Sequence, residues 1–220
     1  MNKIFLTEDG SHSLMSETFG DSFHSKHGAI QESQHVFINA ALNFQTAKGR
    51  TELTILEIGF GTGLNALMTL CEAEKQNLTI HYHTFEMYPL SIEQANALNY
   101  AEKLACSDAH FKALHACNWN EKVQVTPHFS FTKYQTDCQT IDFQGLADIV
   151  YFDAFAPQIQ PELWEEELLQ KIFNALKPNG VLTTYCAKGA VKRALKAVGF
   201  QIESLDGPIG KREMTRAVKI

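Results

Sequence analysis

Three short segments carry residue types that could do chemistry together. The first is Glu57-Ile-Gly59-Phe60-Gly61-Thr62-Gly63-Leu64-Asn65, which follows the apolar run Leu53–Ile58. Glycines at alternate positions let the chain turn sharply and leave no side chain between backbone and ligand. The helix that opens after such a turn adds unpaired N–H donors at its N-terminus. A dinucleotide fingerprint needs a third glycine where Leu64 stands, so that reading fails. The second segment is Phe85-Glu86-Met87 at the end of another apolar run. A carboxylate there can accept two hydrogen bonds from a ribose diol. The third is Tyr151-Phe152-Asp153-Ala154-Phe155-Ala156-Pro157. A carboxylate ending a strand this apolar is costly unless it is used or paired. Each segment also has a purely structural reading: a tight strand–helix turn, an exposed strand-end acid, a helix cap.

The elements that must position these residues alternate along the chain. Strands are expected at Leu53–Ile58, Ile80–Phe85, Val123–Thr126, Ala147–Phe152, Val181–Tyr185, Phe200–Leu205 and Arg216–Ile220. Helices are expected from Leu64 to Ala73, from Pro89 to about Leu104, from Pro161 to Leu176 and from Ala187 to Val198. Alternation of this kind implies βαβ units and a mostly parallel, seven-stranded sheet with helices on both faces, an α/β Rossmann-like arrangement. The helix-free step between the last two strands implies a hairpin, hence an antiparallel strand near one edge. Ligands of such sheets lie at the carboxyl ends of the strands, where all three segments fall. Residues 1–50 read as an N-terminal extension with a turn at Asp9-Gly10, a loop at His24–Gly28 and a helix from Glu32 to about Ala47. Residues 51–220 form the main domain. His24, Lys26 and Glu32 are candidates for a lid over the cleft.

Composition narrows the classes. The chain has 220 residues, 45% hydrophobic and 20% charged, which suits one α/β domain. No apolar run is long enough to span a membrane, and the first residues do not form a secretory signal, so a cytoplasmic protein with no membrane partner is expected. The five cysteines are odd in number and lack a CxxC pair, so a disulfide framework is not expected. Cys106, His110, His115 and Cys117 match no standard zinc spacing, so no metal is expected. From Lys188 to Ile220 there are eight basic side chains against three acidic ones, on a chain whose net charge is −6. Such a basic end is either a polyanion-facing surface or a solvated tail.

The glycine pattern with its preceding acid resembles motif I of the class I methyltransferases, which cradles S-adenosyl-L-methionine. That resemblance assigns Glu57, Gly59, Phe60, Gly61, Thr62, Gly63, Asn65, Glu86 and Asp153 to the donor site, with Met87 beside the adenine. Asp153-Ala-Phe155-Ala-Pro157 is similar to the segment with which amino-group methyltransferases hold an amine. There Asp153 would be the catalytic group and could take the proton released, Phe155 would stack on a planar base and Pro157 would stiffen the loop. Four segments in order resemble the MnmC/MnmD family of bacterial tRNA wobble-uridine enzymes. They are His24–Ser33 with Val36-Phe37, Glu57–Asn65, Asp153–Trp164 and Gly210-Lys-Arg-Glu-Met214.

The resemblance implies N-methylation of 5-aminomethyl-2-thiouridine in a tRNA anticodon arm. It makes Lys188, Lys192, Arg193, Lys211 and Arg212 candidates for phosphate contacts, although Lys211 and Arg212 could instead shape the pocket. No FAD is expected, and no stable protein partner can be deduced. A methyltransferase of a small amine or protein side chain, and a non-catalytic module of the same fold, remain as alternatives. In one place the chain departs from the class: after the third strand, where an acid usually faces the adenine amino group, it reads Thr126-Pro127-His128.

Overall fold

The computed structural model describes residues 2–220. Strands β1 (Lys3–Leu6) and β2 (His12–Met15) pair as an antiparallel hairpin closed by the Thr7–Ser11 turn. A helical stretch follows as α1 (Ala29–Ser33), a π-helical segment (Gln34–Asn43) and α2 (Phe44–Thr46). It buries Val36, Phe37, Ile38, Ala41 and Leu42 against the main sheet, so the extension shares the domain's core.

The main sheet has eight strands rather than the seven expected. They are β3 (Glu52–Ile58), β4 (Thr79–Phe85), β5 (Lys122–Thr126), β6 (Phe129–Tyr134), β7 (Ala147–Phe152), β8 (Leu176–Thr184), β9 (Gln201–Asp206) and β10 (Glu213–Val218), in the order β5-β6-β4-β3-β7-β8-β10-β9. The extra strand is β6, which pairs in parallel with β4, while β5 folds back antiparallel on its outer edge. Thr126-Pro127-His128 is the turn between them. Proline lacks a donor and suits that turn, and it had masked the strand that resumes at Phe129. At the opposite side β10 inserts between β8 and β9, antiparallel to both.

Alternation along the central strands divides the core. Ile149 and Tyr151 of β7 face the layer of α1, the π segment, α3 (Leu64–Gln76) and the helices that follow β4, namely α4 (Ile92–Asn96), α5 (Tyr100–Lys103) and α6 (Asp108–Ala116). Val150 and Phe152 face α7 (Glu166–Ala175) and α8 (Gly189–Ala197). Side chains of successive strand residues point to opposite faces, so a strand covered on both sides is apolar throughout. The single helix expected from Pro89 is broken. Ser91 caps α4 through a reciprocal pair with Gln94, and Asn99 separates it from α5.

A disulfide joins Cys71 of α3 to Cys106 after α5, which corrects the expectation of none. The pair is 35 residues apart in sequence, a separation that short-range motifs do not register. His115, from the same histidine- and cysteine-bearing stretch, points inward instead, with Nε2 3.1 Å from the Thr62 carbonyl. Among the described residues no helix is long and apolar enough to cross a membrane.

Candidate active site

Backbone hydrogen bonds gather the strand ends. Gly59 N–H donates to the Phe85 carbonyl, Asp153 N–H to Ile58 and Glu86 N–H to Tyr134, each at 3.0 Å. The carboxyl ends of β3, β4, β6 and β7 therefore meet around one cleft of about 410 Å³. Gly59 adopts φ +91°, and a Cβ there would stand 2.7 Å from the Asp153 carbonyl oxygen. The glycine is thus required twice, by its dihedral and by the approach of the Asp153 backbone. Gly61, at φ +50°, lies under the ring of Phe23.

Two acids flank this turn. Glu86 is held by the backbone N–H of Gly61 (2.8 Å) and of Tyr88 (2.7 Å). Burial raises its carboxyl above the usual range, and those backbone donors oppose the rise. Asp153 accepts from Asn65 Nδ2 at 2.8 Å on Oδ2. Burial is the largest influence on Asp153 and pushes its carboxyl up to about 7, against the Asn65 hydrogen bond.

Of the residues the sequence pointed to, Gly59, Phe60, Gly61, Thr62, Asn65, Glu86, Met87, Asp153, Phe155 and Lys211 line the cleft. Glu57 does not. It is fully buried within β3 below the turn, behind the cleft lining. Gly63 also lies behind the cleft, packed against His115. Pro157, Lys188, Lys192, Arg193 and Arg212 are outside the lining. Lys188 bonds Gln158, and Lys192 pairs with Glu213 at 2.8 Å. Lys211 is turned inward: its Nζ sits 3.9 Å over the Tyr185 ring and 2.5 Å from Glu32. It shapes the cleft wall, and Glu32, from the extension, is its buried partner.

Asp137 is an acid at the strand end where the sequence appeared to offer none. It lies just past β6, in the cleft, where its side chain accepts from Gln139 N–H. His128 is at the opposite end of the same strand, where its carbonyl accepts from Ile80. The hairpin at Pro127 thus sets the carboxyl end of this strand near Asp137 and not near His128.

The extension supplies more of the wall than the sequence disclosed. His24 stands between Ser13 Oγ (3.2 Å) and Thr62 Oγ1 (3.4 Å), and burial drives its pKa down to about 4, so the imidazole is neutral. Phe19 and Phe23 pack on Phe155 with ring centroids 4.6 and 5.2 Å apart, and Tyr88 meets Phe19 edge-on. Nothing in their local pattern singled these rings out. Asp21, Glu32, Glu86, Asp137, Asp153 and Glu162 face the cleft with Lys211 as the lysine among its lining residues, so its field favours cationic ligands.

Residues 120–220 match the family described as S-adenosyl-L-methionine-dependent methyltransferase. The whole fold superposes on a crystal structure of MNMC2 from Aquifex aeolicus with a TM-score of 0.81 and 28% identity, over 99% of this chain and 69% of that one. The chain is similar to the MnmC proteins. The tRNA 5-methylaminomethyl-2-thiouridine biosynthesis bifunctional protein MnmC of Aromatoleum aromaticum is 30% identical over 97% of this chain and 35% of its own length. The MnmC of Leptospira interrogans is 28% identical over 95% and 34%. The chain thus spans about a third of the length of these MnmC relatives.

Proposed function

We propose that the protein transfers a methyl group from S-adenosyl-L-methionine to the primary amine of 5-aminomethyl-2-thiouridine at the wobble position of tRNA, giving 5-methylaminomethyl-2-thiouridine. The observation that carries this reading is the contact between the glycine turn and Asp153. A carboxyl group suited to an amine stands directly beside a backbone cradle suited to the donor. The product named for the MnmC relatives supplies the identity of the amine.

The cleft fits the donor on its own terms. Glycine at 59 and 61 gives the turn no side chains of its own, Glu86 offers its carboxylate to a ribose diol, and Asp137 offers an acceptor to the adenine amino group. The donor supplies an electrophilic methyl on a good leaving group, so the protein's main contribution is alignment, which is worth several kcal/mol of barrier. Asn65 fixes Oδ2 of Asp153, leaving Oδ1 to accept from the amine and point its lone pair at the methyl. A carboxyl titrating at about 7 can then take the proton as the N–C bond forms. Phe155, with Phe19 and Phe23, offers the aromatic faces on which a splayed base stacks. Lys188, Lys192, Arg193 and Arg212 outside the cleft would meet the phosphates of the anticodon arm, and residues 1–50 would act as a cover over the main domain.

Nucleoside mass spectrometry of tRNA from a strain lacking this chain tests the proposal. Accumulation of the unmethylated aminomethyl nucleoside is expected. Unchanged nucleosides would overturn the tRNA assignment. Affinity for tRNA should fall as salt rises.

A further inference from the structure

Glu57 is the buried ionisable group that the proposed reaction leaves without a task. Its side chain is sealed inside the sheet at 0% exposure. The groups facing it are Thr84 and Tyr82 from β4, Asn65 from α3, Tyr151 from β7 and Asp153 from the strand end. No cation is among them. Both carboxyl oxygens of Glu57, Asn65 Oδ1, Tyr82 OH and Thr84 Oγ1 are buried without a well-formed hydrogen bond.

Three of these five atoms are pure acceptors when Glu57 is ionised, and the donors facing them are the hydroxyls of Thr84 and Tyr82 and the Asn65 amide. One N–H of Asn65 Nδ2 is directed at Asp153, which leaves the other for Glu57. An ionised Glu57 would be a buried charge with no cation beside it, facing a second carboxylate, and the neutral donors around it oppose that cost without outweighing burial. One proton removes both difficulties. It adds the missing donor and leaves Asp153 as the carboxyl that ionises.

We infer that Glu57 works as a neutral carboxylic acid, whose proton completes a sealed cluster with Asn65, Thr84 and Tyr82. Through Asn65 it positions Asp153 without adding a second negative charge beneath it. This role rests on the reading of Asp153 as the amine-holding group, and it makes Glu57 a positioning residue. Burial pushes the Glu57 carboxyl up to about 8, in the same direction.

Infrared difference spectra of the wild type against Glu57→Gln at neutral pH test the protonation state directly. Loss of a protonated-carboxyl C=O stretch is expected, and loss of an ionised-carboxylate band would overturn the inference. The positioning role is read in single-turnover methyl transfer. Glu57→Gln, which keeps the donor and the neutral charge, should stay within about threefold of the wild type. Glu57→Leu should lower the rate by at least about tenfold, shift the acid limb of its pH profile and leave donor affinity unchanged. A Glu57→Leu variant with wild-type rate and pH profile would overturn the role. If that variant fails to fold, the Glu57→Gln spectra and rate still decide. The spectra report on Glu57 whether or not tRNA is the acceptor, so failure of the substrate assignment is separable from failure here.

Discussion

The side-chain amide of Asn65 and the carboxylate of Asp153 are joined at 2.8 Å across 88 residues of sequence. The bond ties the first turn of the helix behind the glycine loop to the end of the central strand. It explains how a half-buried carboxyl can keep one oxygen fixed and the other free. The methyl-transfer rate should therefore rise with pH through about 7, as the Asp153 carboxyl ionises. Asp153→Asn should cut the single-turnover rate by at least about tenfold and remove that limb. A pH–rate profile on both proteins checks this, and an unaltered Asn variant would end the carboxylate role.

Gly59 should tolerate no side chain. Alanine there meets a backbone oxygen at 2.7 Å and a strained φ at once. Gly59→Ala is expected to cost about 1–3 kcal/mol of stability and to abolish measurable donor binding. Thermal unfolding and calorimetry with S-adenosyl-L-methionine give the two readings.

Asp137→Ala should weaken donor binding about tenfold, the size of one lost good hydrogen bond to a polar base edge. The maximal rate should hold at saturating donor. His128→Ala should leave both unchanged, because His128 stands at the far end of β6. Donor titrations of the two variants distinguish the positions.

Lys211 and Glu32 form the ion pair that clamps the extension to the loop before β10. Lys211→Met strands a carboxylate that is 7% exposed. The expected loss is roughly 2 kcal/mol, below the range for fully buried pairs because the lysine is a third exposed. Chemical denaturation measures it. Limited proteolysis should show faster cleavage near residues 17–28 if the clamp holds the wall.

Glu57→Gln should change how stability responds to pH. In the folded state the Glu57 carboxyl binds its proton up to about pH 8, against a value of 4.5 when free. The folded protein therefore holds more protons than the unfolded chain between these values, and this group's contribution weakens as pH rises through that window. The variant has no such proton to lose. Its melting temperature relative to the wild type should climb from about pH 5 to about pH 8 and then level off.

The strand–helix alternation, the glycine turn, Glu86 and Asp153 were all legible in the sequence, because each depends on spacing within one local segment. Periodicity places a residue on a face, and glycine with an apolar run marks a turn at a strand end. What failed was also local at its origin. Pro127 gives no local sign of the strand that resumes beyond it, so the carboxyl end of β6 falls near Asp137 and not near His128. Other features had no local trace at all. The burial of Glu57, the inward turn of Lys211 onto Glu32, the rings of Phe19 and Phe23 over Phe155, and the Cys71–Cys106 link join residues far apart in the chain. Sequence alone determined that a glycine turn and two acids would share one end of a sheet. The tertiary structure decided which acids reach the cleft, which stay sealed beneath it and what covers it, since solvent exposure and partner choice depend on the packing of elements whose order in space no short motif encodes.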